Sequence, residues 1–157
     1  MVGVVVETDA SVASAALGRL GDEQLALVMY EVGALIEDQT KLRLADEKTS
    51  PEGAAWAPWS AAYDESRNHR KHSLLVAEGD LRDSVQNVTT GTEAVVGSNL
   101  VYAAHHQFGT DPSKRRAGVP DGAAGAGIPA RPWLGLSADN RADIEALVAG
   151  RLEDLLQ

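Results

Sequence analysis

The side chains best suited to chemistry in this sequence are four histidines, His69, His72, His105 and His106. His69 and His72 are three residues apart, so a helix would present both imidazoles on one side, as many zinc ligands are presented. The same run holds Arg67, Arg70 and Lys71, whose charge opposes a bound cation, and a solvated basic face is the simpler reading. His105 and His106 are adjacent and point in different directions on a helix, which suits a structural hydrogen-bonder better than a pair of ligands. Ser98 follows Gly97, but the closing glycine of a nucleophile elbow is missing. The stretch from Gly122 to Gly127 is glycine-rich without the lysine and Ser/Thr of a phosphate loop. The carboxylate pairs Glu37–Asp38 and Asp46–Glu47 fall on or beside the charged side of a helix, where they serve solubility. Cysteine is absent, which removes thiolate nucleophiles, disulfides and cysteine-based metal sites. The reading is therefore of a protein that is not an enzyme, with no catalytic, cofactor or metal residues assigned.

The elements that would carry any site follow from composition and periodicity. A chain of 157 residues, 44% of them apolar, has the size of one domain, 1–157, with a real core. Its net charge of −9 argues against a surface that grips nucleic acid, because duplex phosphates are held by cations. Met1–Val6 is apolar but lacks a basic start and runs into Glu7 and Asp9, so it makes a poor signal peptide. No apolar run approaches the ~20 residues of a membrane helix. Val2–Thr8 reads as an opening strand and Asp9–Leu20 as a first helical segment. Leu25, Val28, Val32, Leu35, Ile36 and Leu42 recur at steps of three and four, the pattern of an amphipathic helix. Asp22 and Glu23 at its start and Lys41, Arg43 and Lys48 toward its end suit the helix dipole. It is expected to stop near Thr49, Ser50 and Pro51.

Beyond it, a loop over 51–60, a polar helix from Ser60 to Arg70 and a helical turn capped by Asp80 are predicted. Ser84–Thr90 and Thr92–Gly97 flank Gly91 and read as a hairpin. Leu100–Phe108 reads as helix, ended by Gly109. Residues 110–128 are rich in glycine and proline, with Lys114, Arg115 and Arg116; a loop of that length is flexible or is ordered by assembly. Ser137 caps a last helix whose apolar face is Ile144, Leu147, Val148, Leu152 and Leu155. The fold class is α+β: long amphipathic helices near the start and at the end, packed on a small antiparallel β-sheet.

Trp56, Trp59 and Trp133 stand beside prolines in irregular segments, and Arg131 lies between Pro129 and Pro132. Such residues are core plugs or interface anchors, since Trp and Arg are enriched at binding hot spots. With Lys114, Arg115 and Arg116 they form the candidate interface set. The basic clusters Arg67–Lys71 and Lys114–Arg116 lack the interleaved aromatics of single-strand binding, which favours protein contact or glancing DNA contact.

Four segments in order carry a family resemblance: Trp56-Ala57-Pro58-Trp59-Ser60; Leu74-Leu75 with Gly79-Asp80-Leu81-Arg82-Asp83-Ser84; Val96-Gly97-Ser98-Asn99 with Tyr102-Ala103-Ala104-His105-His106-Gln107-Phe108-Gly109; and Pro129-Ala130-Arg131-Pro132-Trp133-Leu134-Gly135-Leu136-Ser137. Together they resemble the phage virion morphogenesis family, the tail-completion proteins of long-tailed phages. Gly97, Asn99, Tyr102, His106, Gln107, Phe108, Gly109, Pro132 and Gly135 are the motif positions the resemblance marks as structural. The sequence departs from the family at His105, where an aliphatic residue is common, and at Trp133, where phenylalanine is frequent. The Gly/Ala-rich stretch before Ile128 is also longer.

The resemblance implies a subunit at the head-proximal end of a phage tail, forming a ring of six copies around the DNA channel. Its implied partners are further copies of itself, the head–tail connector and the tail tube or terminator protein, in a virion assembled in the host cytoplasm. DNA would pass without sequence-specific binding, helped by an acidic channel wall, and no membrane is involved. Three other readings compete. One is a different neck component, a head-completion adaptor or tail terminator. Another is a metal hydrolase built on His69, His72 and His105 or His106. The third is a DNA-binding module using Arg67, Arg70, Lys114 and Arg115.

Overall fold

The structure, a computed structural model, describes residues 21–66, 73–111 and 127–156. The expected opening strand, the first helical segment and both basic clusters lie outside the described residues. So do His69 and His72.

Helix α1 spans Asp22–Leu42. It starts where the Gly21 N–H donates to Gln24 Oε1 at 3.2 Å, and Asp22 and Glu23 place negative charge in the first turn. Val28, Val32 and Ile36 are buried, so the middle of the predicted apolar stripe faces the core, whereas Leu42, counted in it, is 50% exposed. The helical coil ends where expected, just before Thr49, but its last turn has a form the sequence did not announce. The coil continues past Leu42 as a π-helical turn over Arg43–Glu47, and Lys48 in the left-handed region (φ 56°) closes it. Helical geometry has thus ended before Pro51, which sits in the turn that follows, where the Gly53 N–H donates to Ser50 O at 2.9 Å. The wider turn rotates Arg43 and Leu44 inward, leaving them 1% and 0% exposed. Arg43, read from sequence as a cation that suits the helix dipole, is an interior residue. Lys48 Nζ caps the helix end by donating to Leu44 O, and it also reaches Leu74 O.

The chain then makes a tight turn in which Thr49 pairs with Ala55. Short helix α2, Ala61–Ser66, follows, and then α3, Asp80–Asp83. Gly79, not Asp80, holds the N-cap position of α3; its positive φ is open to glycine, and Asp80 becomes the first helical residue. Strands β1 (Val85–Thr90) and β2 (Glu93–Ser98) form an antiparallel hairpin, with Val85 opposite Ser98 and Thr90 opposite Glu93. Val85 and Val96 are buried on the inner face, while Val88 on the other is 58% exposed.

The hairpin lies against α1 at close range. A Cβ on Gly33 would fall 2.2 Å from Asn87 Oδ1, so only glycine admits this approach. The outward main-chain N–H of Asn87 donates to Glu37 Oε2 at 2.7 Å, and its side chain donates to Tyr30 O. Glu37, assigned from sequence to solubility, therefore holds a main-chain N–H of β1.

Helix α4 spans Ala103–Phe108 and α5 spans Ala138–Leu156. Ser137 caps α5 as predicted: its Oγ accepts the Asn140 N–H, and Asn140 Oδ1 accepts the Ser137 N–H in return. Helix α5 runs antiparallel to α1, tied by Gln39 to Asp143 at 3.1 Å and by Arg151 to both carboxylate oxygens of Glu31 at 2.7 Å. Ile144, Leu147 and Val148 pack against the buried core. The architecture is α+β, with long helices toward both ends of the described chain and a two-stranded antiparallel sheet.

Candidate functional site

The third and fourth motif segments meet in space. Helix α4 is too short to be stable alone, and what fixes it is an extended strap, residues 128–136, laid along it. Gln107 does most of the fixing. Its Oε1 accepts the N–H groups of Trp133 (2.9 Å) and Leu134 (3.0 Å), while its Nε2 donates to Leu134 O at 3.0 Å. One amide side chain thus satisfies three main-chain groups of a segment with no strand partner of its own. The Arg131 N–H donates to His106 O at 2.7 Å. At the far end, Thr110 N–H donates to Ile128 O (2.8 Å), and Ile128 N–H donates to Thr110 Oγ1 (2.7 Å). The strap and α4 are therefore joined on either side of residues 111–127.

Gly109 makes the join possible. Its φ of 73° lies where L side chains are strained, and an added Cβ would sit 2.8 Å from both Ala130 N and Ile128 O. Gly109→Ala is expected to cost about 2 kcal/mol, from left-handed strain of order 1–3 kcal/mol with rigid backbone on the other side. Urea denaturation checks this; a loss below about 0.5 kcal/mol would mean the strap moves aside freely.

Both tryptophans of the site plug the core beneath the strap. Trp133 is fully buried and donates from Nε1 to Ala103 O at 3.1 Å. Trp56, 6% exposed, donates from Nε1 to Pro132 O at 2.8 Å. Arg131 is 5% exposed, with Nε on Ala57 O and Nη2 on Pro58 O. Of the interface candidates, then, Trp56, Arg131 and Trp133 are turned inward and take their partners from this chain, as the core-plug alternative has it. Trp59 is half-buried and tilts against Tyr63, with ring centroids 6.3 Å apart. Lys114, Arg115 and Arg116 lie outside the described residues.

The motif positions are more varied. Gly135 (φ 152°) passes Pro51 so closely that a Cβ would meet its Cγ at 2.6 Å. Gly97 is half-buried in β2, and Asn99 is exposed just after it. Beside them, Ser98 Oγ shares a hydrogen bond with Ser84 Oγ at 2.7 Å. Tyr102 meets His106 edge-on, with ring centroids 5.8 Å apart. His106 is half-buried, its Nδ1 has no hydrogen-bond partner among the described residues, and His105 beside it is exposed. Burial first, then Arg131 and His105, depress the His106 pKa, favouring the neutral ring. No cluster of three or more His, Asp or Glu side chains able to hold a metal occurs among the described residues.

Arg43 is the residue missed by sequence reasoning that organises most of the site. Nη1 donates to Gly135 O at 2.8 Å and to Trp133 O at 3.4 Å, and Nη2 donates to Asn140 Oδ1. Burial pulls its pKa down while Glu47, 3.6 Å from Nε, pulls it up; a guanidinium stays charged in any case. The signal was present in the sequence. Arg43 continues the apolar stripe seven residues after Ile36, where a surface arginine does not belong.

Fold and site together define a mixed α+β protein whose motif side chains serve its own backbone: they lock a strap onto a helix. The chain belongs to the phage virion morphogenesis family, whose sequence model matches residues 8–153. It is 31% identical over 147 residues to protein G of Escherichia phage Mu, a capsid assembly protein by name, covering 90% of this chain and 89% of that one. It is also 39% identical over 75 residues to the Mu-like prophage FluMu G protein 2 of Haemophilus influenzae, covering 48% of this chain and 49% of that one. No solved structure matches. The role is thus a structural one in phage morphogenesis. No helix among the described residues is long and apolar enough to cross a membrane.

Proposed function

We propose that this protein is a tail-completion subunit that forms a ring, of six copies, around the DNA channel at the head-proximal end of a phage tail. The observation that carries the reading is a solvent-facing apolar stripe on the locked motif. Val101 is 80% exposed and Phe108 69% exposed, and with exposed His105 they fall at i, i+4 and i+7, along one side of α4 and the turn before it. Large apolar groups held rigidly in water are what an oligomer covers, since little ordering entropy remains to be lost on docking. The polar motif residues behind the stripe are spent on intramolecular bonds, which suits a presenting scaffold rather than a catalytic centre.

In this reading a neighbouring copy covers the stripe, and the connector and tail tube or terminator pack above and below the ring. Phe108→Glu is expected to weaken ring formation by roughly tenfold or more, because a carboxylate in an apolar contact costs well over the ~1.4 kcal/mol of a tenfold change. Sedimentation of the wild-type and variant chains checks this, with circular dichroism to confirm that the variant folds. A wild-type chain that never self-associates, or a variant that assembles normally, would sink the ring. Position is tested by electron microscopy of intact particles carrying labelled subunit. Label at the head–tail junction agrees with the proposal; label elsewhere rejects it. A second reading draws on the name of the phage Mu relative: a neck component on the head side, such as a head-completion adaptor, would label with tailless heads.

A further inference from the structure

We propose that His106 makes the α4 strap an acid-sensitive latch, in which proton uptake by the imidazole loosens residues 128–134 from α4. The geometry disfavours a proton on Nδ1. That atom is buried with no hydrogen-bond partner among the described residues, so a proton added there would be a buried, unpaired donor. The charged groups acting on the ring are both of the wrong sign. Arg131 faces it from the strap, joined to the same residue by the hydrogen bond from its main-chain N–H to His106 O, and His105 lies beside it on α4. Tyr102, just before α4, meets the imidazole with the two rings nearly perpendicular. The acid facing that phenol is Asp80 of α3, which does not figure among the charges on the imidazole. Residues 57–58, packed beneath, contribute only carbonyl oxygens, and these are already occupied by the Arg131 guanidinium.

The sign follows from linkage. The folded-state pKa of His106 is depressed below the ordinary 6.5, so the open latch takes up a proton more readily than the closed one. Its closure is firm above the ordinary value and is lost as pH falls from there through the folded-state pKa. What weakens is local: the Arg131, Trp133 and Leu134 N–H groups, held by His106 O and Gln107 Oε1, become exchangeable while the α1–hairpin body stays closed.

The test is amide hydrogen exchange on the full chain between pH 7.5 and 5.0. Protection factors at Arg131, Trp133 and Leu134 should fall by about tenfold for each unit by which the pKa is depressed, with those in α1 unchanged. His106→Gln should remove the fall and His105→Gln should keep it. Flat protection in the wild type, or the same fall in a folded His106→Gln chain, overturns the latch. Should that variant not fold, NMR titration of the wild-type imidazole decides: an apparent pKa below 6.5 that tracks the loss of protection supports the proposal, and an ordinary or raised one rejects it.

Discussion

Truncating Trp133 to alanine is expected to lower the unfolding free energy by about 3–5 kcal/mol, the range for removing a fully buried large aromatic. Two effects add. The indole is fully buried, and its removal leaves a cavity bounded by α4, the strap and the α1 core that cannot collapse without moving the Gln107 bonds. In addition Ala103 O loses the Nε1–H donor. Trp133→Phe should recover most of the loss, since it restores an aromatic ring and forfeits only the hydrogen bond. Equilibrium urea unfolding of the three chains measures both steps. A loss under about 1 kcal/mol for Trp133→Ala would show that the strap repacks and that the site is less rigid than its hydrogen bonds imply.

Arg43→Met should be nearly as damaging, at about 3 kcal/mol, although methionine fills much of the volume. Gly135 O, Trp133 O and Asn140 Oδ1 all accept from this guanidinium, and buried acceptors left without donors cost about 1–3 kcal/mol each. Part of that is offset because the charge itself no longer has to be desolvated. Arg43→Lys keeps the charge but cannot span three acceptors with one ammonium, so it should fall between wild type and methionine. Asn140→Ala combined with Arg43→Met should be less than additive, since both remove the same link between α1 and the start of α5. Strict additivity in thermal or urea unfolding would mean the two residues act separately.

What could be read from the sequence was what nearest neighbours decide. The stripe on α1, the hairpin around Gly91 and the Ser137 cap depend on spacing and local chemistry, and they appear in the structure where expected. The coil that begins as α1 also ends near Thr49 as expected, but its π-helical last turn could not be read, because it goes with the burial of Arg43 and Leu44 rather than with any breaker residue. The tryptophans illustrate the other limit. Residue type marked Trp56 and Trp133 as anchors, but whether an anchor serves the chain or a neighbour depends on what folds over it, and here that is the strap. Gln107 is the same case: a lone glutamine on a short helix carries no local signal for three hydrogen bonds to a segment more than twenty residues on.

The Glu37 bond to Asn87 has a consequence for how copies can stack. A β-strand with free main-chain groups on its outer side is a template for another strand, and runaway fibre growth needs two such sides per molecule. Here one main-chain N–H of β1, that of Asn87, is taken by a carboxylate from α1. One glutamate thereby takes up a main-chain donor that a further strand on the β1 side would need.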